Sequence, residues 1–234
     1  MSLRILALDA STDLCSVALG DHSGFVERRE RAGQRHSELM LPMVRSLLDA
    51  AGTTLAQLDA IAFGAGPGSF TGLRIACGIA QGLALGAARP VVAVPTLAAM
   101  AEAARVLHGA SRVYAALDAR MREVYVAAYE FDGERWNERV GVAVVAPDAA
   151  PLPLQSAWLG VGPGFDAYPA LRERLAARLS GCDPTLEPSA AVVGSLGLRG
   201  LAAGEACDAR DAAPIYVRHR VALTVAERTA GMTL

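Results

Sequence analysis

The order in which strand-like and helix-like segments follow one another leaves few folds open to this chain of 234 residues. Apolar or alternating runs predict two groups of three strands, at residues 3–9, 15–19 and 25–31 and again at 112–117, 124–131 and 135–145. Polar turns separate the strands within each group, so each group is expected to pair antiparallel, with the polar third strand at or near a sheet edge. Between the groups, buried strands alternate with helices, which implies parallel crossovers.

Helical periodicity marks three segments of the first half, at residues 36–51, 71–86 and 96–107. Pro42 lies inside the first segment, so we expect either a later start or a kink of that helix. Three antiparallel strands followed by helices that alternate with parallel strands form a ribonuclease-H-like half, which actin-like ATPases use twice. We therefore predict an α/β protein with the two-lobed actin-like ATPase (ribonuclease-H-like) fold.

The second half is expected to be a shortened copy of the first. After residue 145 it offers a Pro- and Ala-rich loop, one short strand at 158–162 and two helices, at 167–179 and 189–203. We place the boundary near His108, which divides the chain into an N-terminal ribonuclease-H-like lobe at residues 1–108 and a degenerate actin-like lobe at residues 109–234.

Composition removes several classes of function. All 22 basic residues are arginine, so no lysine is available for a P-loop or a Schiff base. The formal net charge of −2 gives no long-range attraction to phosphate, and nucleic acid is not an obvious direct partner. The four cysteines are widely spaced, which is typical of buried thiols in a reducing compartment. Neither a signal core nor an apolar run of about 18 residues is found, so we expect a cytoplasmic protein without a membrane span.

A glycine-rich segment, residues 66–74, lies between a predicted strand and a predicted helix, where backbone amides and the helix dipole can hold an anion. It has no lysine at the P-loop position, and Thr71 stands where a dinucleotide fingerprint starting at Gly66 needs its third glycine. Two interpretations stay open, an anion-binding loop or a structural loop whose glycines permit tight backbone geometry.

Taken as a complete string, GPGSFTGLR at residues 66–74 resembles the signature of the TsaB (YeaZ) family. Further strings resemble that family in the same order along the chain: LALDAST at 6–12 with CSVAL at 15–19, RHSE at 35–38 with LP at 41–42, VPTL at 94–97, LDAR at 117–120 with EVY at 123–125, and PIYVR at 214–218. The resemblance runs from residue 3 to residue 218, and its sharpest motifs fall within residues 3–100.

This resemblance implies a function in the threonylcarbamoyladenosine (t6A37) modification of transfer RNA. TsaB proteins are regarded as non-catalytic scaffolds and are paralogues of TsaD, the catalytic subunit that binds metal and nucleotide. The implied partners are a TsaD-like catalytic subunit, a TsaE-like ATPase and the carbamoyladenylate-forming enzyme of the pathway. Transfer RNA would be reached only through the complex, and the chain could form a homodimer in isolation.

The metal-binding residues of TsaD-like chains have no counterpart here. Those chains carry two histidines one helical turn apart, and the matching positions hold Thr96 and Met100, which do not suit the same metal ion. The histidines at 22, 36, 108 and 219 are too scattered to propose another site. We therefore expect no metal site, no catalytic residue and no cofactor.

Two polar clusters keep alternative interpretations. Asp9, Ser11 and Thr12 follow the first strand, where actin-like ATPases place magnesium and phosphate contacts. They either cap a turn or retain weak nucleotide binding. The charged residues at 118, 120 and 123 form either an acid pair with a catalytic role or ordinary salt bridges of a hairpin.

Two helices are predicted to carry the partner interface. The helix at 71–86 is apolar on nearly every side, so more than one side must be buried, and a sheet can cover only one. Its small residues suit the close approach of another backbone, and the helix at 36–51 offers a broad apolar face beside it. The residues expected to contact a TsaD-like subunit, or a second copy of this chain, are Met40, Met43, Val44, Leu47, Gly72, Ile75, Ala76, Ile79, Ala80 and Leu83.

Two other functions compete with the scaffold. The fold allows an ATPase or a kinase-like enzyme, although a fold alone does not decide function and the site residues count against it. A metallopeptidase is the third alternative, and the sequence lacks HExxH or a comparable set of ligands.

Overall fold

The computed structural model describes residues 3–218, which contain two five-stranded sheets and six α-helices. The strands are β1 (Ile5–Asp9), β2 (Leu14–Asp21), β3 (Gly24–Arg31), β4 (Ala60–Gly66), β5 (Val91–Pro95), β6 (Arg112–Arg120), β7 (Glu123–Phe131), β8 (Trp136–Val145), β9 (Trp158–Val161) and β10 (Leu179–Asp183). The helices are α1 (His36–Ala50), α2 (Phe70–Ala87), α3 (Thr96–His108), α4 (Gly164–Ala167), α5 (Pro169–Leu175) and α6 (Ala190–Ala202).

The two sheets share one topology. The first has the strand order β3-β2-β1-β4-β5, and the second, β8-β7-β6-β9-β10, repeats it. In each sheet the first three strands of the sequence pair antiparallel, and the last two are added in parallel. This duplication confirms the predicted two-lobed actin-like ATPase fold, and the polar strand β3 lies at a sheet edge as expected.

Helices α3 and α6 cross between the lobes. α3 follows the first sheet but packs Leu97 and Met100 in a core with residues of β6 and β7. α6 follows the last strand of the second sheet and packs Val193 and Leu198 with residues of β1, β4 and β5. Part of the predicted second domain therefore packs on the first sheet, and the division of the chain near His108 stays a prediction.

The helices that cover the first sheet are longer than the corresponding elements of the second lobe. α1 and α2 cover the first sheet, with Met40, Leu47 and Ala80 in its core. In the second lobe, a short 3₁₀ turn at Pro147–Ala149 stands in place of α1, and the short helices α4 and α5 stand in place of α2. The second lobe is thus shortened, as predicted.

Two of the predicted helices need correction. α1 begins at His36 and runs through Pro42, so a later start is wrong. The helix predicted at 167–179 ends earlier, and β10 follows it and pairs with β9 in parallel.

α2 is long and apolar enough to cross a membrane by length and composition. One such helix is a weak indication, because core helices pass the same test, and its small residues pack in the core of the first lobe.

Candidate functional site

A cleft of about 900 Å³ lies between the two lobes. Its first-lobe wall comes from the turn after β1 at residues 11–13 and from residues 67–74, and its second-lobe wall from the β6–β7 hairpin at residues 117–125. The segment at residues 215–218 lines it as well. A cleft of this size is large enough for a nucleotide-sized ligand.

The glycine-rich segment is packed directly against the turn that follows β1. The N–H of Ser69 donates to the carbonyl oxygen of Ser11 at 2.8 Å. A Cβ atom on Gly68 would lie 2.3 Å from that same oxygen, and one on Gly72 would lie 1.9 Å from the carbonyl oxygen of Ala10. These glycines allow two backbones to approach closely, which supports the structural interpretation of the segment.

Gly72→Ala is expected to lower the free energy of unfolding by roughly 1–3 kcal/mol, because the added methyl group forces the backbone away from Ala10. Gly78 provides the matched control on the same helix, since a Cβ there would meet no atom within 4 Å. Gly78→Ala is expected to raise the free energy of unfolding by up to about 1 kcal/mol through helix propensity. Urea denaturation measures both, and equal effects would contradict this contact.

Asp9, Ser11 and Thr12 form a capped turn at the edge of the cleft. Asp9 is fully buried, and its Oδ1 accepts the N–H of Ser11 at 3.1 Å and the Ser11 hydroxyl at 2.9 Å. Its Oδ2 has no hydrogen-bond partner between residues 3 and 218. Burial raises the pKa of Asp9 to about 6, against the lowering effect of the Ser11 bonds. Thr12 accepts the N–H of Leu14 at 3.2 Å. Nucleotide binding by these residues stays a prediction.

Thr96 and Met100, which are expected at the positions of the two TsaD-like histidines, are both buried in this chain. The Thr96 hydroxyl accepts the N–H of Gly66 at 3.1 Å and so ties the start of α3 to the glycine-rich segment. Met100 fills the core of the second lobe, where a Cβ on Gly162 would come within 2.3 Å of its Cε. Within residues 3–218, no cluster of three or more His, Cys, Asp or Glu side chains could hold a metal ion. His219 lies outside the described residues.

Comparison with known proteins identifies the family. Residues 26–157 match a family model described as TsaD, tRNA N6-adenosine threonylcarbamoyltransferase. The chain is 40% identical to the tRNA threonylcarbamoyladenosine biosynthesis protein TsaB of Escherichia coli K12, over 94% of this chain and 96% of that protein. The chain belongs to the TsaB family. TsaB of Haemophilus influenzae is also 40% identical, over 94% of this chain and 95% of that protein. The structure of YeaZ from Pseudomonas aeruginosa has a TM-score of 0.85 and 42% identity, covering 92% of this chain and 99% of that chain.

In this TsaB-family chain, the charged residues of the β6–β7 hairpin form hydrogen bonds and salt bridges, which is the structural one of their two interpretations. Asp118 accepts the Tyr168 hydroxyl and the N–H of Arg120, each at 2.8 Å. The Arg120 guanidinium also pairs with Asp118, at 3.2 Å. Glu123 pairs with Arg218 from the far end of the described chain. These side chains therefore fix the hairpin and its neighbours.

The predicted partner interface of this TsaB-family chain needs a correction. Six of its ten residues are buried within the chain itself: Met40, Val44, Leu47, Gly72, Ala76 and Ala80. They are unavailable to a partner because the core of the first lobe already covers them. The four partly exposed residues are Met43, Ile75, Ile79 and Leu83. An interface on these helices stays a prediction, and of the ten residues only the partly exposed four could take part in it.

The rim of the cleft carries three side chains that were not predicted as site residues, Phe70, Arg74 and Tyr216. The Arg74 guanidinium lies 3.8 Å from the centre of the Phe70 ring, and its Nε donates to the Tyr216 hydroxyl at 2.9 Å. Phe70 and Tyr216 are 45% and 47% exposed. The one-turn spacing of Phe70 and Arg74 was a signal for their contact, whereas nothing in the sequence placed Tyr216 beside them.

Proposed function

We propose that this chain is a non-catalytic scaffold subunit in the synthesis of threonylcarbamoyladenosine on transfer RNA. Its near full-length match to TsaB proteins that are named for this biosynthesis carries the proposal. The proposed partners are a TsaD-like catalytic subunit, a TsaE-like ATPase and the carbamoyladenylate-forming enzyme. Transfer RNA is reached through the complex.

The internal contacts of the candidate site residues support a structural role for the chain. Thr96 and Met100 stand where TsaD-like chains carry metal ligands, and both are used in packing within this chain. The turn after β1 is packed against the glycine-rich segment with no room for a side chain at Gly68 or Gly72. The N–H of Ser69 is already bonded to the carbonyl oxygen of Ser11. The groups that would hold a phosphate in an active relative are therefore already bonded or packed within this chain.

The proposed docking surface for the TsaD-like subunit is the outer face of α1 and α2. Leu41 and Leu85 are 47% and 59% exposed there. Gly78 and Gly82 are exposed on α2, and a Cβ on either would meet no atom of the chain within 4 Å. Such glycines let the backbone of a partner helix come close. A TsaD-like paralogue fits this surface, and a second copy of the chain would use it when the paralogue is absent.

Reconstitution of the modification on a transfer RNA transcript tests the proposal. With the TsaD-like, TsaE-like and carbamoyladenylate-forming proteins present, threonylcarbamoyladenosine is expected only when this chain is added. Gly82→Arg should lower the affinity for the TsaD-like subunit at least about tenfold, since a long charged side chain enters the contact. Arg also favours the helix over Gly by about 1 kcal/mol, so the monomer should remain folded. Mass spectrometry of nucleosides and calorimetric titration provide the measurements.

Ala170→Arg is the matched control, because Ala170 is exposed on α5 at the outer side of the other lobe. It should bind and support modification like the unmodified chain. Equal modification without this chain would overturn the scaffold proposal, and wild-type affinity of Gly82→Arg would place the docking surface elsewhere. Hydrolysis of ATP by the purified chain would favour the ATPase or kinase-like alternative.

A further inference from the structure

The segment at residues 212–218 runs along the first lobe before it reaches the second. The N–H of Ile215 donates to the carbonyl oxygen of Ala65 at 2.7 Å, next to the end of β4. The Gln81 side chain on α2 donates to the carbonyl oxygen of Ala212 at 3.0 Å. A Cβ on Gly66 would lie 2.7 Å from the carbonyl oxygen of Ile215. The segment therefore lies directly on the glycine-rich segment, with no space between the two backbones.

The middle of the same segment contacts the rim of the cleft. The Tyr216 ring lies 5.8 Å from the Phe70 ring, centre to centre, and the Tyr216 hydroxyl accepts from Arg74. Ile215 and Tyr216 both line the cleft. The segment is thus one wall of the cleft as well as a covering of α2.

Within residues 3–218, the far end of the segment is attached to the second lobe through the Arg218 side chain. The Arg218 guanidinium pairs with Glu123 at the start of β7, and it lies 5.9 Å from the centre of the Tyr125 ring. It also approaches the Met121 sulfur at 3.7 Å. The Arg218 side chain is only 12% exposed, so this ion pair is partly shielded from water.

The hairpin that Arg218 contacts has a strained backbone. Arg120, Met121 and Arg122 have φ values of 61°, 53° and 60°, in the left-handed region that residues other than glycine rarely adopt. Such a conformation persists only where the surroundings hold it in place. Arg218 contacts Met121 and Glu123, on both sides of Arg122, and so braces this turn.

We infer that residues 212–218 form a clasp, which joins the two lobes across the cleft and limits its opening. The first-lobe end is held by backbone and side-chain hydrogen bonds, whereas the second-lobe end depends on Arg218. Loss of the Arg218–Glu123 pair therefore separates the hairpin turn from the clasp, while the Asp118 contacts stay in place and the crossing helices α3 and α6 still connect the lobes. This inference does not depend on the proposed partners, because every contact in it lies within the chain.

Hydrogen–deuterium exchange of the full chain, read by mass spectrometry, tests the clasp. In Arg218→Ala, amides of the hairpin turn at residues 120–123 and of residues 216–218 are expected to exchange about tenfold faster, since local opening is governed by the contacts that close it. Glu123→Gln should give the same pattern from the other side of the pair. Amides of α3, α6 and the central strands should keep their rates. Arg210→Ala is the matched control, because Arg210 is exposed in the preceding segment and has no ion pair within residues 3–218.

Unchanged exchange at residues 120–123 and 216–218 of Arg218→Ala would overturn the clasp. Faster exchange throughout both sheets would also overturn it, because Arg218 would then support the whole fold. The double variant should exchange no faster than either single variant, since both substitutions break one contact. Additive effects of the two substitutions would show that they act separately, and this too would contradict the inference.

Discussion

Glu102→Ala is expected to lower the free energy of unfolding by about 2–3 kcal/mol, because it removes a buried acid from two guanidinium groups whose side chains are 32% and 39% exposed. Glu102 lies on α3 with 1% of its surface exposed. It accepts hydrogen bonds at 2.7–2.9 Å from Arg105, Trp136 and Arg199, which belong to α3, β8 and α6. Without the carboxylate, two guanidinium groups and an indole N–H lose their acceptor. Urea denaturation at neutral pH measures the loss.

Glu102→Gln is the matched control, because it keeps the shape and one acceptor oxygen but removes the charge. Burial opposes ionisation of Glu102, but the bonds from Arg105 and Trp136 and the charge of Arg199 outweigh it and lower its pKa. A lowered pKa contributes stability above the ordinary value of 4.5, and this contribution is lost as the pH falls through the folded-state pKa. The difference in the free energy of unfolding between the unmodified chain and Glu102→Gln should therefore become smaller at acid pH. A loss below about 1 kcal/mol for Glu102→Ala would show that the carboxylate does not hold the network.

Local patterns predicted most of the first lobe. β1, β2 and α1 to α3 each consist of an apolar or periodic run between polar turns, so their own composition specifies them. β10 was missed because Leu179–Asp183 has five residues, none of them fully buried, and no alternation of polar and apolar positions. A short parallel strand of this kind is specified by its neighbour β9 more than by its own residues.

The candidate interface was only partly predictable, because periodicity shows that a helix face is apolar but not what covers it. Met40 and Ala76 have the spacing expected of an interface and equally the spacing expected of a core, and the first lobe buries both. Glu102 was missed for a related reason. A single acid in an alanine-rich helix has no distinctive spacing, and its partners stand 3, 34 and 97 residues away in the sequence.

Asp9→Asn is expected to raise the free energy of unfolding above pH 7 by up to about 3 kcal/mol, at about 1.4 kcal/mol for each unit of pKa shift. Burial raises the pKa of Asp9 from 3.8 to about 6, so the folded chain binds a proton more tightly than the unfolded chain. The unmodified chain therefore loses stability as the pH rises from about 4 to about 6. Asn stays neutral throughout, so the difference should be small near pH 4 and full above pH 7, as measured by urea denaturation across that range.

Asp13→Asn is the matched control for this prediction, because Asp13 lies exposed in the same turn. It removes the same formal charge without relieving burial, and its effect reports the contribution of net charge alone. A stability difference between Asp9→Asn and the unmodified chain that does not vary with pH would contradict the raised pKa. A loss of stability at every pH would show instead that Oδ2, which has no partner within residues 3–218, accepts a hydrogen bond that the Asn amide cannot replace. Either result would show that burial of an unpaired charge is not the property that distinguishes Asp9 from Asp13.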